Sequence, residues 1–347
     1  MVRIFLWLLL FAGATTFLSS AFGGSSQRAW QNFLINSLLW TGMAQAGPVF
    51  VSIHRLAEAR WGQPIPRLAA GMAIFLPIGL LLFLFLPFGS AALFPQIPTS
   101  GGEPWLGQSV SWLRDGLGLL GLTALSLWVL FYSARPEQQL PRPLAASVLL
   151  VYGLVYSLLG VDLVRALDAT WSSALFGAYF SVSNFYLGLA ALAVLAVLGQ
   201  RRGIPITVDD LHDLGKLLFG FCLLTGYFLW SQYLVIWYAD VARETGFLLR
   251  RAEQPWLPLA IAALTLALIA PFLALLSRRV KRDPHALLAV SLTVCVGIWL
   301  ERYLLVVPSI WEQPGLPLGW MELLITSGFF AGVALTYLQV LSRATVR

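Results

Sequence analysis

A chain of 347 residues of which 59% are hydrophobic and only 11% charged departs from the soluble pattern, in which about a quarter of residues carry charge. Its Leu-, Ala-, Val- and Phe-rich runs approach the roughly 20 residues that cross a bilayer as a helix, and they lack the alternation over about ten residues that marks a membrane β-strand. The formal charge of +6 lies mostly in short loops between those runs, so it reads as a topology signal and gives no ground for a nucleic-acid partner.

In chain order the apolar runs predict ten helices, over about 2–19, 33–53, 67–90, 112–132, 144–163, 173–198, 213–238, 256–277, 286–307 and 319–340. The first, MVRIFLWLLLFAGATTFLSS, has the basic start and apolar middle of a signal peptide. It is taken as a retained span because the later helices fit the charge pattern with it included. Pro77 and Pro87 in the third helix, and Pro258 and Pro271 at the ends of the eighth, predict kinks or caps. Longer linkers fall at about 91–111, 199–212 and 239–255; Gly101 and Gly102 in the first lack the Lys and Ser or Thr of a phosphate loop. None is long enough for a soluble domain, which leaves one integral membrane domain over residues 1–347. With the termini and the even-numbered loops on one side, that side holds fourteen of the 22 Lys and Arg, and the other five. The positive-inside rule then places both termini in the cytoplasm.

The chemistry available is limited. His54, His212 and His285 lie near helix ends and offer no facing pair at membrane depth for a haem, and Cys222 and Cys295 are apart, with no CxxCH and no iron–sulfur spacing. No redox metal is expected on this chain. The informative residues are ionisable groups in apolar surroundings, which are costly there and are paired, water-lined or functional. Asp162, in GVDLVRALDATW, has Arg165 three residues on, so a static pair on one helix face and a proton-carrying carboxyl are both open. Glu301 lies deeper, in GIWLERYLLVVPS, with Arg302 about 100° round the helix as an imperfect partner. The stretch HDLGKLLFGFCLLTGYFLWSQYLVIWYADVARE opens on His212, Asp213 and Lys216. It carries Trp230, Gln232 and Tyr233 inside, and closes on Asp240 and Glu244. Asp209, Asp210 and Asp213 suit the start of its helix as caps.

HDLGK followed by SQYLVIWYADVARE resembles the SQ(Y/F)-x-x-IWY-(A/S)-(N/D) signature of the quinone-binding subunit 2 type of bacterial alternative complex III, within the NrfD or polysulfide-reductase membrane-subunit superfamily. TGMAQAGPVF to HRLAEARW, PRLAAGMAIFLPIGLLL, VDLVRALDATWSSALFGAY, APFLALLSRRVKRD and GIWLERYLLVVPS are similar to further family segments in the same order. The resemblance implies ten helices in two four-helix bundles plus two peripheral helices, in a bacterial inner membrane. It also implies assembly with a homologous NrfD-like membrane subunit, an iron–sulfur subunit, multihaem and monohaem cytochrome c subunits, small membrane anchors and lipids, with a cytochrome oxidase as one acceptor. The complex would oxidise menaquinol or ubiquinol, with haem c and iron–sulfur clusters held by partners and the better-supported quinol site in the homologous subunit.

Carried onto this sequence, Asp162 stands for the family Asp after the fifth run, Asp168 where Glu is usual, and Thr170 where His is common. His212, Asp213 and Lys216 match HDLGK, Asp240 occupies an Asn position, and Glu301 replaces an Asp. The expected proton-path residues are therefore Asp162, Asp168, His212, Asp213, Lys216, Tyr233, Asp240 and Glu301. The alternatives are a quinone pocket of Asp162, His212, Trp230 and Tyr233, or a scaffold whose buried charges form static pairs.

Overall fold

The computed structural model describes residues 2–94, 108–135, 138–168 and 171–344. Most of the 91–111 linker, with Gly101 and Gly102, and also Thr170 and Arg347, lie outside the described residues. The protein is an all-α polytopic membrane protein, with no strand among the described residues. The helices are α1 (Val2–Ala21), α2 (Ser26–Leu56), α3 (Pro64–Leu93), α4 (Gln108–Ser133), α5 (Arg142–Leu163), α6 (Phe176–Arg201), α7 (Val208–Ala239), α8 (Ala242–Ala252), α9 (Leu257–Leu276), α10 (Arg278–Arg282), α11 (Pro284–Ile310) and α12 (Trp320–Ala344). Among the described residues, nine of these helices are long and apolar enough to cross a membrane; α2 has the length, at 31 residues, but carries too many polar groups to count among them.

Helices α2 to α5 pack as one four-helix bundle, and α6, α7, α9 and α11 as a second. The bundles join where α6 lies against α2 and α5, while α1 and α12 form a pair against the outside of α2. This seam makes α6 the most enclosed span, with 83% of its apolar window buried against 22% for α1, α7 and α9. Lipid supplies no hydrogen bonds, so the polar side chains of α2 have to find partners on other helices. Asn32 Nδ2 donates to the Glu322 carbonyl at 3.0 Å, Asn36 Nδ2 to Thr326 Oγ1 at 3.1 Å, and Gln45 Nε2 to Ser126 Oγ at 2.7 Å. Arg28 closes the top of this ladder with two bonds of 3.0 Å to the Glu322 carboxylate. Each such interhelical bond contributes roughly 0.6–2 kcal/mol. Together they explain why α2 starts at Ser26, seven residues before the apolar run suggests.

The prolines do more than kink helices. Pro77 and Pro87 each adjoin or sit in a tightened 3₁₀ turn, Met72–Phe75 and Leu86–Gly89. Pro258 lies in the first turn of α9, but Pro271 is inside that helix, next to a π-turn over Thr265–Ile269. Lacking an N–H, Pro271 leaves the carbonyl four residues back without its helical donor. That carbonyl, on Ala267, accepts the Tyr186 hydroxyl at 2.9 Å instead. The stretch 239–255, expected to be a linker, contains α8, an amphipathic helix with Phe247 and Arg251 buried.

Helices α1 and α12 approach through glycine. A Cβ on Gly13 would lie 2.7 Å from the Gly328 Cα, whereas one on Gly121 in α4 would meet nothing within 4 Å. Gly13→Ala should therefore lower thermal stability in detergent by about 1–3 kcal/mol from overpacking, while Gly121→Ala leaves it equal or raises it by up to about 1 kcal/mol. Parallel melting curves of the two variants check this.

Candidate functional site

In the second bundle, Arg302 on α11 is fully buried. Its Nη1 donates to Glu301 Oε2 at 2.5 Å and its Nη2 to Ser183 Oγ at 2.6 Å, and its guanidinium carbon lies 4.3 Å above the Phe180 ring. Glu301 Oε1 accepts the Tyr179 hydroxyl at 2.5 Å. The network thus ties α11 to the start of α6. Glu301 is nine residues from the end of α11, about 14 Å along the axis, which places it in the half of the span opposite the termini. Arg302, judged an imperfect partner from its angle round the helix, is in fact the partner: a long side chain crosses the 100° that separates adjacent Cβ atoms.

In the first bundle, Asp162 on α5 pairs with Arg114 on α4, not with Arg165. Arg114 Nε also stands 3.7 Å from Asp115 Oδ1. Asp115 is 2% exposed, and neither of its carboxyl oxygens meets a hydrogen-bond donor among the described residues. Two carboxyls thus share one guanidinium near the same side of the membrane as Glu301.

Asp168 also lies on that side, 5% exposed, with Arg250 Nη1 at 3.5 Å. Beside it Arg251 serves the backbone. Pro308 removes the N–H that the Leu304 carbonyl would use, and Arg251 Nε donates there at 2.8 Å. Its Nη2 donates to the Leu305 carbonyl at 3.2 Å and to Ser309 Oγ at 2.7 Å. Phe247, under the Arg251 guanidinium, stacks on Trp171 at 3.8 Å. Burial pushes the Arg251 guanidinium down to about 9, with Asp168 acting against that and Arg250 with it, so it stays charged at neutral pH.

The expected residues of α7 fall elsewhere. The N-cap of α7 is Thr207, in a reciprocal capping box with Asp210; the helix therefore starts at Val208, before the expected 213. Asp210 Oδ1 also accepts the Gly62 N–H at 2.9 Å, Asp209 pairs with Arg282 at 2.5 Å, and Asp213 pairs with Lys216 at 2.5 Å. The Tyr233 and Trp230 rings lie 5.5 Å apart and tilted by 32° on the outward face, 42% and 59% exposed. Gln232 points inward and accepts a bond from Ser173 Oγ at 3.4 Å. Asp240 is exposed and ends α7 in the left-handed conformation, φ 46°, where Asn, Asp and Gly are the tolerated residues. That break separates Asp240 from Glu244, which lies in the first turn of the next helix, so the two do not share a helical face.

The structure therefore brings Glu301 together with Tyr179, Arg302 and Ser183, and Asp162 with Arg114 and Asp115. It does not bring His212 to Trp230: they are 18 residues apart on α7, about 27 Å, too far for one quinone ring to touch both. Asp115 and Arg302 were missed as site residues although both interrupt apolar runs, the same signal that singled out Glu301. Compared with known proteins, the chain matches no protein-family model and no curated protein.

Arg251→Gln should cost about 1–3 kcal/mol, the penalty for a buried carbonyl left without a donor. Adding Pro308→Ala restores the backbone N–H and should recover part of that loss. Denaturation of the two single variants and the double variant measures the coupling; strict additivity would contradict the assignment.

Proposed function

We propose that this chain is a membrane subunit of a quinol:electron-acceptor oxidoreductase of the alternative complex III type, in a bacterial inner membrane with both termini cytoplasmic. In this reading it supports assembly of the complex and carries protons released or moved by quinol oxidation, while redox cofactors and the quinol site belong to partners. The sequence support is the ordered set of motifs from TGMAQAGPVF to GIWLERYLLVVPS. The observation that carries the proton-handling part is the Tyr179–Glu301–Arg302–Ser183 network. A carboxyl at membrane depth is bonded there to a hydroxyl that exchanges protons and held beside a fixed cation. The Arg114–Asp115–Asp162 cluster adds a second station, with one carboxyl more than its guanidinium neutralises. His212, Asp213 and Lys216 lie at the opposite end of the membrane span and mark an entrance at most, whereas Tyr233 and Asp240 face outward.

A static scaffold is the second reading, favoured by the closure of Glu301, Asp162 and Glu322 within ion pairs of the chain itself. The two readings separate in the purified complex reconstituted in vesicles. Glu301→Gln and Asp115→Asn, with Asp162→Asn beside them, should leave subunit content and haem spectrum unchanged but lower the protons moved per electron. Unchanged proton stoichiometry in all three variants would remove the conduit, and loss of assembly in all three would favour the scaffold.

A further inference from the structure

The side of the membrane that holds the termini carries an uncompensated cation in an enclosed place. Lys281 on α10 is 8% exposed, although it lies among the arginines of SRRVKRD. Its stem fills the notch left by Gly215 of α7, where a Cβ would come within 2.9 Å of the Lys281 Cγ. Its ammonium stands 5.5 Å from the Phe219 ring centroid. Among the described residues it has no carboxylate and no hydrogen-bond acceptor. The nearby acids are already engaged, Asp213 with Lys216 and Asp209 with Arg282. The neighbours left are cations: burial first, and then Arg278 and Lys216, push the Lys281 ammonium down from the ordinary lysine value.

A second group points to the same vacancy of negative charge. The His212 ring is surrounded by Lys216, Arg282 and Lys281, with Asp213 the one acid acting on it, and its buried Nδ1 has no partner among the described residues. An ordinary basic loop would leave its charges in water. Here a lysine with a buried stem and a buried imidazole nitrogen stand together at the start of the α7 span, with Asp213 the one acid acting on His212.

We infer that His212, Lys216 and Lys281 form a binding site for the phosphate of an anionic phospholipid, seated between the start of α7 and α10, with exposed Arg278 at its rim. The phosphate would supply the missing acceptor for the Lys281 ammonium, and the adjacent apolar face of α7, with Leu223 and Leu224 exposed, would take the acyl chains. Basic recesses between membrane helices are suited to such headgroups. The site does not rest on the redox role proposed above, in which His212 and Lys216 mark an entrance at most.

Native mass spectrometry of the full chain, released from a neutral detergent and titrated with dioleoyl-phosphatidylglycerol or dioleoyl-phosphatidylcholine, tests it. The wild type should retain phosphatidylglycerol preferentially. Lys281→Gln should weaken that retention about fivefold, the effect of one basic residue at a membrane surface, while Lys281→Arg keeps it. Arg3→Gln, which removes an exposed charge from the same side, should also leave it unchanged. If Lys281→Gln fails to fold, His212→Gln is the replacement and should reduce retention likewise. Equal retention of the two lipids, or equal loss in Arg3→Gln, would overturn the site. Displacement of the lipid by millimolar inorganic phosphate would overturn the assignment to a lipid and leave a free-anion site.

Discussion

The guanidinium of Arg302 imposes the strongest constraint on this fold. A fully buried cation among apolar helices is tolerated only with a charge partner and further hydrogen bonds. Here the partners come from the preceding residue and from α6: Glu301 directly, Ser183 by a second bond, and Phe180 through its ring face. Tyr179 then saturates the other Glu301 oxygen. These contacts fix α11 against α6, the helix on which both bundles meet. Removing Arg302 alone would leave the carboxylate uncompensated, so the four residues act as a unit.

The same rule, that lipid gives no hydrogen bonds, accounts for the treatment of the prolines. Pro271 and Pro308 deprive carbonyls of their helical donors, and at each of these two a side chain from another element makes up the loss: Tyr186 on α6 for Ala267, and Arg251 on α8 for Leu304. A break in one helix thus becomes an attachment point for another. The close approach of Gly297 on α11 to the π-turn, where a Cβ would lie 2.2 Å from the Ala267 nitrogen, has the same location. The buried charge clusters gather in the half of the membrane away from the termini. The termini side instead carries exposed ion pairs and an excess of cations.

Hydropathy alone revealed the spans, because each apolar run of about 20 residues has one stable solution in a bilayer. It misplaced the starts of α2 and α7, where the polar residues of 26–31 and Asp209 and Asp210 are helical: Arg28 of the former pairs with Glu322 on α12, and Asp210 of the latter closes a capping box with Thr207. It also missed α8, which is too short and too charged to register as a span although its Phe247 and Arg251 are buried. Glu301 and Asp162 were legible as ionisable groups in oil, but their partners were not. Arg114 is 48 residues from Asp162 and Tyr179 is 122 from Glu301; spacing along one helix carries no information on contacts between helices. Tyr233 and Asp240 drew notice by motif, and their outward positions depend on the rotation of α7, which the packing of Gln232 and Cys222 sets.

Function follows most directly from whether the Glu301 carboxyl exchanges a proton during turnover or merely holds Arg302. Redox-induced infrared difference spectroscopy on the complex proposed above, comparing wild type with Glu301→Gln, reads that carboxyl itself. The proposed role predicts a carboxyl band that appears with quinol oxidation, shifts in D₂O and vanishes in the variant. A spectrum with no carboxyl band altered by Glu301→Gln, in a complex that still oxidises quinol, would contradict it.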